Sequence, residues 1–232
     1  MGVDLALSRF FDACAQGAAL KGPMLALGSL DLRGTPEELD AYSDAHGYAR
    51  LKRERNVAAL MADRYAVEPY VSCDVNGLAD VWLDLAQPLP AEHRARYRSI
   101  LNGGTLEHVF DLKQAMENIH DATAVGGVMI HTCPTTWFDH GFVNHNPVLF
   151  RLTAEANGYE LVAEGFYYSP GSFPGQTAAV VSLPAVDTVV PGTDRSNAAL
   201  FSGPALPANA MYLIALRKTV DGRFRTPVQI SQ

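Results

Sequence analysis

Five of the seven histidines in this 232-residue chain fall between Arg98 and Pro147: His108, His120, His131, His140 and His145. Imidazole titrates close to neutrality, so a loop histidine can take a proton from a reacting group or, when neutral, ligate a divalent metal. His140 and His145 share the loop Thr132–Pro147 with Trp137, Phe138, Asp139, Phe142 and Asn144. That composition suits an acceptor pocket. Trp137, Phe138 and Phe142 can wall a flat or sugar-like molecule, Asp139 and Asn144 can orient it, and His145 or His140 can deprotonate it. His108 follows Glu107 in an earlier loop, Asn102–His108, and is the third candidate base. The same groups permit a metal reading, with Asp139, His140 and His145 joined by His131 or His108 around a divalent ion. The H-x₄-H spacing is not a metal signature and nothing resembles H-E-x-x-H, so a divalent metal is not favoured. The plain alternative is a loop pinned by its own polar side chains.

A second set of groups sits at the ends of short apolar runs. Gly28, Ser29, Asp31 and Gly34 follow MLAL; Asp74 ends YVSCD; Asp84 ends VWLD. A carboxylate at the carboxyl edge of a strand can accept both hydroxyl protons of a ribose, because it is an acceptor-only group. A second acid can meet the exocyclic amine of adenine.

The elements that must position these groups alternate between strand and helix. Leu7, Phe10, Phe11 and Cys14 predict an opening helix over residues 3–18, broken at Gly22-Pro23. Met24–Leu27 is a buried strand. Thr35, Pro36 and Glu38 read as N-cap, first helical residue and capping-box partner of a helix that ends at Gly47. A helix over Arg53–Tyr65 follows, then strands at Tyr70–Asp74 and Val81–Asp84 and a short polar helix over Ala91–Tyr97. Ser99–Asn102 is the next strand. Leu112, Ala115, Met116 and Ile119 mark a helix over Asp111–Ala124, stopped by Gly126-Gly127 before a strand beginning at Val128. Val148–Asn157 is a helix with Gly158 at its exit. Tyr159–Tyr168 and Asn209–Lys218 are strands. Residues 169–207 are rich in Pro, Gly, Ser and Ala, with one strand candidate at Ala178–Leu183, and read as a lid or dimer arm. His46, His93 and His120 fall at helix ends or surfaces, and Tyr167, Tyr168 and Phe173 suit packing better than a pocket.

This order predicts one α/β domain over 1–232 with a Rossmann-like, doubly wound, mostly parallel sheet and an antiparallel closing strand. Residues 1–21 form the opening helix, 22–168 the core, 169–207 the irregular segment and 208–232 the closing strand and tail. The formal net charge of −7 and pI of about 5.4 argue against a nucleic-acid groove. Arg50, Lys52, Arg53 and Arg55 read as a solvated helix face. Cys14, Cys73 and Cys133 have no CxxC spacing, the N-terminus lacks a signal-peptide pattern, and no apolar run reaches the ~18 residues a membrane span needs. The expectation is a reduced, cytoplasmic protein with a small-molecule partner, no membrane and an open question of homodimerisation.

With these parts in order, the chain resembles the class I S-adenosylmethionine-dependent methyltransferases over about Gly22–Tyr168. The most specific stretch, NGGTLEHVFDLKQAMENIHDATAVGGVMIHTCPTTW, is similar to that family's fourth strand, following helix and glycine turn before the fifth strand. EANGYELV resembles the exit into strand six, and NAMYLIALRK suits the closing hairpin. ALGSLDLRG replaces the usual E-x-G-x-G-x-G loop, with Ala26 where an acid is common, and resembles a G-S-x-D-x-x-G form. The resemblance implies S-adenosyl-L-methionine as cofactor. It would be held by Gly28, Ser29, Asp31, Gly34, Asp74, Asp84, Asn102, Gly103 and Glu107, with the acceptor at the loop after strand five. A non-catalytic relative that keeps the fold for binding, or a metal-dependent enzyme using the His131–His145 loop, are the alternative readings.

Overall fold

A computed structural model describes residues 2–18, 20–168, 179–182 and 209–229. The chain opens not with a helix but with a strand, β1 (Gly2–Asp4). Asp4 then accepts from the Ala6 amide at 2.8 Å and caps a 3-10 turn leading into α1 (Ser8–Gly17). β2 (Met24–Leu27) is wholly buried, as its unbroken apolar run requires. β3 (Asp31–Arg33) lies in what the sequence presented as a plain glycine loop, and pairs in parallel with β1, Val3 opposite Leu32. The helix α2 (Pro36–His46) carries the expected capping box. Glu38 N donates to Thr35 Oγ1 at 3.2 Å and Thr35 N to Glu38 Oε2 at 2.8 Å. Thr35→Ala should cost about 1 kcal/mol in a urea titration.

The single helix expected over 53–65 is two, α3 (Ala49–Glu54) and α4 (Val57–Tyr65). Arg55 turns left-handed (φ 47°) between them, and Asn56 caps the second by accepting from the Ala59 amide at 2.8 Å. β4 (Tyr70–Asp74) and β5 (Val81–Trp82) follow. The short polar helix expected over 91–97 is one 3-10 turn, because Tyr97 already belongs to β6 (Tyr97–Asn102). In α5 (Leu112–Ala122) the stop is Thr123, whose hydroxyl donates to Ile119 O at 2.6 Å while its backbone turns extended. β7 (Thr123–Pro134) therefore starts before the two glycines rather than after them. α6 (Pro147–Asn157) ends at left-handed Gly158 and leads into β8 (Tyr159–Tyr168), β9 (Ala179–Ser182) and β10 (Ala210–Lys218).

Eight strands make one sheet in the order β5-β4-β2-β6-β7-β10-β8-β9. The run from β5 to β7 is parallel, and β10 is inserted antiparallel to both β7 and β8. Alternate side chains cover the two faces. Leu25, Leu27, Ile100, Met129 and Tyr212 pack under α5 and Phe150 of α6; Met24, Leu101, Val128, Ile130 and Leu213 pack under Phe10 and Phe11 of α1 and Leu60 and Met61 of α4. The fold is thus doubly wound and Rossmann-like, mostly parallel with an antiparallel strand. The chain leaves β2 for β4 on one side and returns to β6 on the other, so the switch point lies between β2 and β6. Two histidines expected at the surface are buried: His93 bonds Tyr97 Oη at 2.8 Å, and His120 lies between Tyr159 Oη and the Gly222 carbonyl. Among the described residues, no helix is long and apolar enough to cross a membrane. Phe173 and most of 169–207 lie outside the described residues, as does the side chain of Tyr168; Tyr167 is buried core.

Candidate functional site

Register brings the relevant strand ends into one row. Cys73 lies opposite Leu27, Leu27 opposite Asn102, and Asn102 opposite His131. The next residues, Asp74, Gly28, Gly103 and Thr132, therefore stand side by side, with Gly28 and Gly103 leaving the sheet while Asp74 ends β4 and Thr132 continues β7. Gly28 adopts φ 87° and donates its N–H to Cys73 O at 2.7 Å, which fixes the loop against β4. Ser29 N donates to Asp74 Oδ2 at 3.1 Å. Asp74 also accepts from Val75 N at 2.7 Å, Asn76 N at 3.2 Å and Asn76 Nδ2 at 3.0 Å. The carboxylate stands at the expected strand end, but its four acceptor directions are all used within the chain. Only the Asn76 side chain can leave without disturbing backbone. Asp84 lies two residues past β5 and accepts from Ala86 N at 2.9 Å.

Three of the expected cofactor residues are placed differently. Exposed Asp31, and Gly34 packed against Leu39, belong to the β3 ribbon rather than to a tight strand-to-helix turn. The Asn102 side chain is fully buried and accepts from Thr105 N at 2.9 Å and Leu106 N at 3.2 Å while donating to Cys133 Sγ at 3.1 Å. It braces the turn and, being fully buried, is not presented to a ligand. Gly103 meets Leu30, whose Cδ1 would lie 2.7 Å from an added Cβ, so Leu30 and Gly103 together floor the crevice at the switch point. Leu30 and Asn76 carried no sequence signal beyond their place in loops.

On the other side of the crevice, the turn Leu106–His108 and the loop after β7 close on each other. Phe142 N donates to Glu107 O at 2.8 Å, and Gly141 lies flat against the Glu107 backbone. Glu107 is 0% exposed and neither carboxylate oxygen has a hydrogen-bond partner. Burial pushes its carboxyl up to about 7. His140 Nε2 lies 3.6 Å from Oε1. The His108 ring stands edge-on to His140 at 5.1 Å, and Trp137 stacks on His140 at 4.6 Å and 22°. Burial first, then His108 and Arg33, hold the His140 imidazole below its ordinary value, which favours the neutral ring. His108 and His140, read as belonging to separate sides, therefore converge, with Glu107 beneath them.

His145 departs from the expectation of a base on the acceptor face. Its backbone N–H donates to Pro134 O at 2.7 Å, which turns the ring inward, and it is 2% exposed against Phe150. His131 packs on the same Phe150 at 4.9 Å. Burial lowers His145 to about 4 and His131 to about 3, the latter with a further push from His145. The metal reading of Asp139, His140 and His145 with His131 or His108 is corrected in part: Asp139 is exposed at φ 55°, and His131 and His145 point into the core, which leaves His140 and His108. Among the described residues the three-donor cluster is Glu107, His108 and His140.

Of the expected acceptor residues, Asn144 is used to hold the loop, accepting from Trp137 N at 3.1 Å. Phe138 is 92% exposed and Phe142 66% exposed. Phe142 meets Phe110 edge-on at 5.7 Å, and Phe110 is itself 85% exposed. Phe110 was missed, although it falls off the apolar stripe of α5. Phe110, Trp137 and Phe142 give the mouth beside His140 an aromatic rim.

No protein-family profile and no curated protein matches the chain. Among solved structures, it is similar to the CurJ carbon methyltransferase at 12% identity and TM-score 0.38, covering 88% of this chain and 50% of that one, so it spans about half of CurJ's length. It is similar to the 16S rRNA (adenine(1408)-N(1))-methyltransferase from Catenulisporales acidiphilia at 13% identity and TM-score 0.37, covering 95% and 96%. The MccD protein is similar at 12% identity and TM-score 0.36, covering 90% and 96%.

Proposed function

We propose that the protein transfers a methyl group from S-adenosyl-L-methionine to a small-molecule acceptor. One observation carries this reading: at the switch point of a doubly wound sheet, a glycine-turned loop, Gly28-Ser29, is tied to a strand-end carboxylate, Asp74. That is the arrangement that binds a ribose, once the Asn76 amide gives up its place to a hydroxyl. Asp84, past the next strand, is available to an adenine amine. The acceptor would enter over the aromatic rim of Trp137, Phe142, Phe110 and Phe138. His140 or His108 is within reach of its hydroxyl, whereas His145, buried as it is, is not a base here. Net charge of −7 and an aromatic mouth favour a neutral small molecule over nucleic acid.

S-adenosylhomocysteine should raise the melting temperature by mass action, and Asp74→Asn should weaken its binding about tenfold or more by removing charge-assisted acceptors. The variant's own melting temperature, recorded without ligand, separates loop loosening from lost contact. No stabilisation of the wild type at millimolar S-adenosylhomocysteine would remove this reading.

A further inference from the structure

We infer that Glu107, His108 and His140 form a divalent transition-metal site of the zinc type, with its open positions facing the acceptor mouth. One oxygen and two imidazole nitrogens, one from each residue, lie within 4.8 Å of one another. Ligands bonded to a tetrahedral ion at about 2.0–2.1 Å sit roughly 3.4 Å apart. The His140 Nε2 to Glu107 Oε1 separation, 3.6 Å, is already at that spacing. The exposed ring of His108 closes the rest by rotation about its side-chain bonds.

The second, independent observation is the carboxylate itself. Glu107 is completely buried, both oxygens lack a hydrogen-bond partner, and the group is aimed at the two rings. A buried carboxylate without donors is costly unless it is neutralised or coordinates a cation. Among the described residues it has no lysine or arginine ion pair; His140 is its ion-pair neighbour. The donor set selects the ion: two imidazoles and one carboxylate suit Zn²⁺, Co²⁺, Fe²⁺ or Mn²⁺ and disfavour Mg²⁺ and Ca²⁺, which take oxygen. Burial grades outward from Glu107 through His140 to exposed His108, so the remaining coordination positions open to the surface, where Trp137 stacks on His140. An oxygen donor of the acceptor would fit there. That last assignment rests on the methyl-transfer reading; the metal site does not.

The test uses the full chain stripped of metal and titrated with Co²⁺, followed by its visible absorption, and with Zn²⁺ by calorimetry. One equivalent should bind with a low-coordinate cobalt spectrum. Glu107→Gln and His140→Ala should each lose at least tenfold in affinity and the spectrum, while Asp139→Asn should not. Glu107→Gln keeps the shape of the turn and removes the buried charge, so it should fold at least as stably as the wild type without metal. Absence of a cobalt spectrum in the wild type, or equal affinity in Glu107→Gln, overturns the site. S-adenosylhomocysteine stabilisation measured on the same samples keeps the readings apart. Nucleoside binding without metal uptake overturns only the metal site, and metal uptake without nucleoside binding overturns only the cofactor reading.

Discussion

His131→Leu will make the protein markedly more resistant to acid than the wild type. In the folded chain His131 is held at about 3, against an ordinary value of 6.5, by complete burial beside Phe150 and His145. A histidine whose folded value is depressed binds protons more readily unfolded. Its stability contribution is therefore intact above 6.5 and is lost as pH falls toward 3. At pH 4.5 that loss is about 2.5 kcal/mol for His131, and of similar size for His145, whose folded value is about 4. The figure at this pH depends mainly on the unfolded value, since both folded values lie lower. Glu107 runs the other way: raised to about 7, it stabilises the fold on protonation and partly masks the histidines in the wild-type curve. The difference between His131→Leu and wild type cancels that contribution. In urea titrations it should shift by about 2.5 kcal/mol in favour of the variant between pH 7.5 and pH 4.5. At neutral pH the leucine also removes an imidazole whose Nδ1 has no partner. A pH-independent difference would mean that water reaches the pair.

What the sequence disclosed follows physical range. Met24–Leu27 and Tyr70–Asp74 were legible to the residue because an apolar run between breakers is a local signal, and so was the Thr35 capping box. The β1–β3 ribbon was not, since three-residue strands have no periodicity and their pairing partners lie some thirty residues apart. The break at Arg55 was hidden because the apolar stripe continues across it; only the Asn56 cap betrays it. The site divides in the same manner. Asp74 and Gly28 were placed by strand ends. His145 could not be placed, because one backbone hydrogen bond to Pro134 decides whether its ring faces in or out. Glu107 read as a cofactor-holding residue because its burial, against a glycine 34 residues later, has no local signal. The metal-capable cluster is likewise a tertiary product: His108 and His140 belong to different loops, and only the closure of one on the other brings their rings together.

That closure gives Gly141 its importance. An added Cβ would lie 2.7 Å from Glu107 O and 3.1 Å from Glu107 C and Cβ. The obstruction is backbone, in a turn clamped from below by the buried Asn102 side chain, so the turn cannot yield. The outer loop must move instead. It is the weaker partner: Phe138, Asp139 and Phe142 are exposed, and its hold on the turn is the bond from Phe142 N to Glu107 O. His140 immediately precedes Gly141, so lifting the loop carries Nε2 away from its place 3.6 Å from Glu107. Misplacement of a reacting or ligating group by about 1 Å costs on the order of a hundredfold in rate. Gly141→Ala should therefore lower acceptor turnover by about that factor and abolish the cobalt spectrum. S-adenosylhomocysteine stabilisation, which the proposed function assigns to Gly28 and Asp74 across the crevice, should be unchanged, and the melting temperature should move little because the sheet and both helical layers are untouched. Wild-type cobalt binding in Gly141→Ala would show that the loop after β7 does not hold His140 over Glu107.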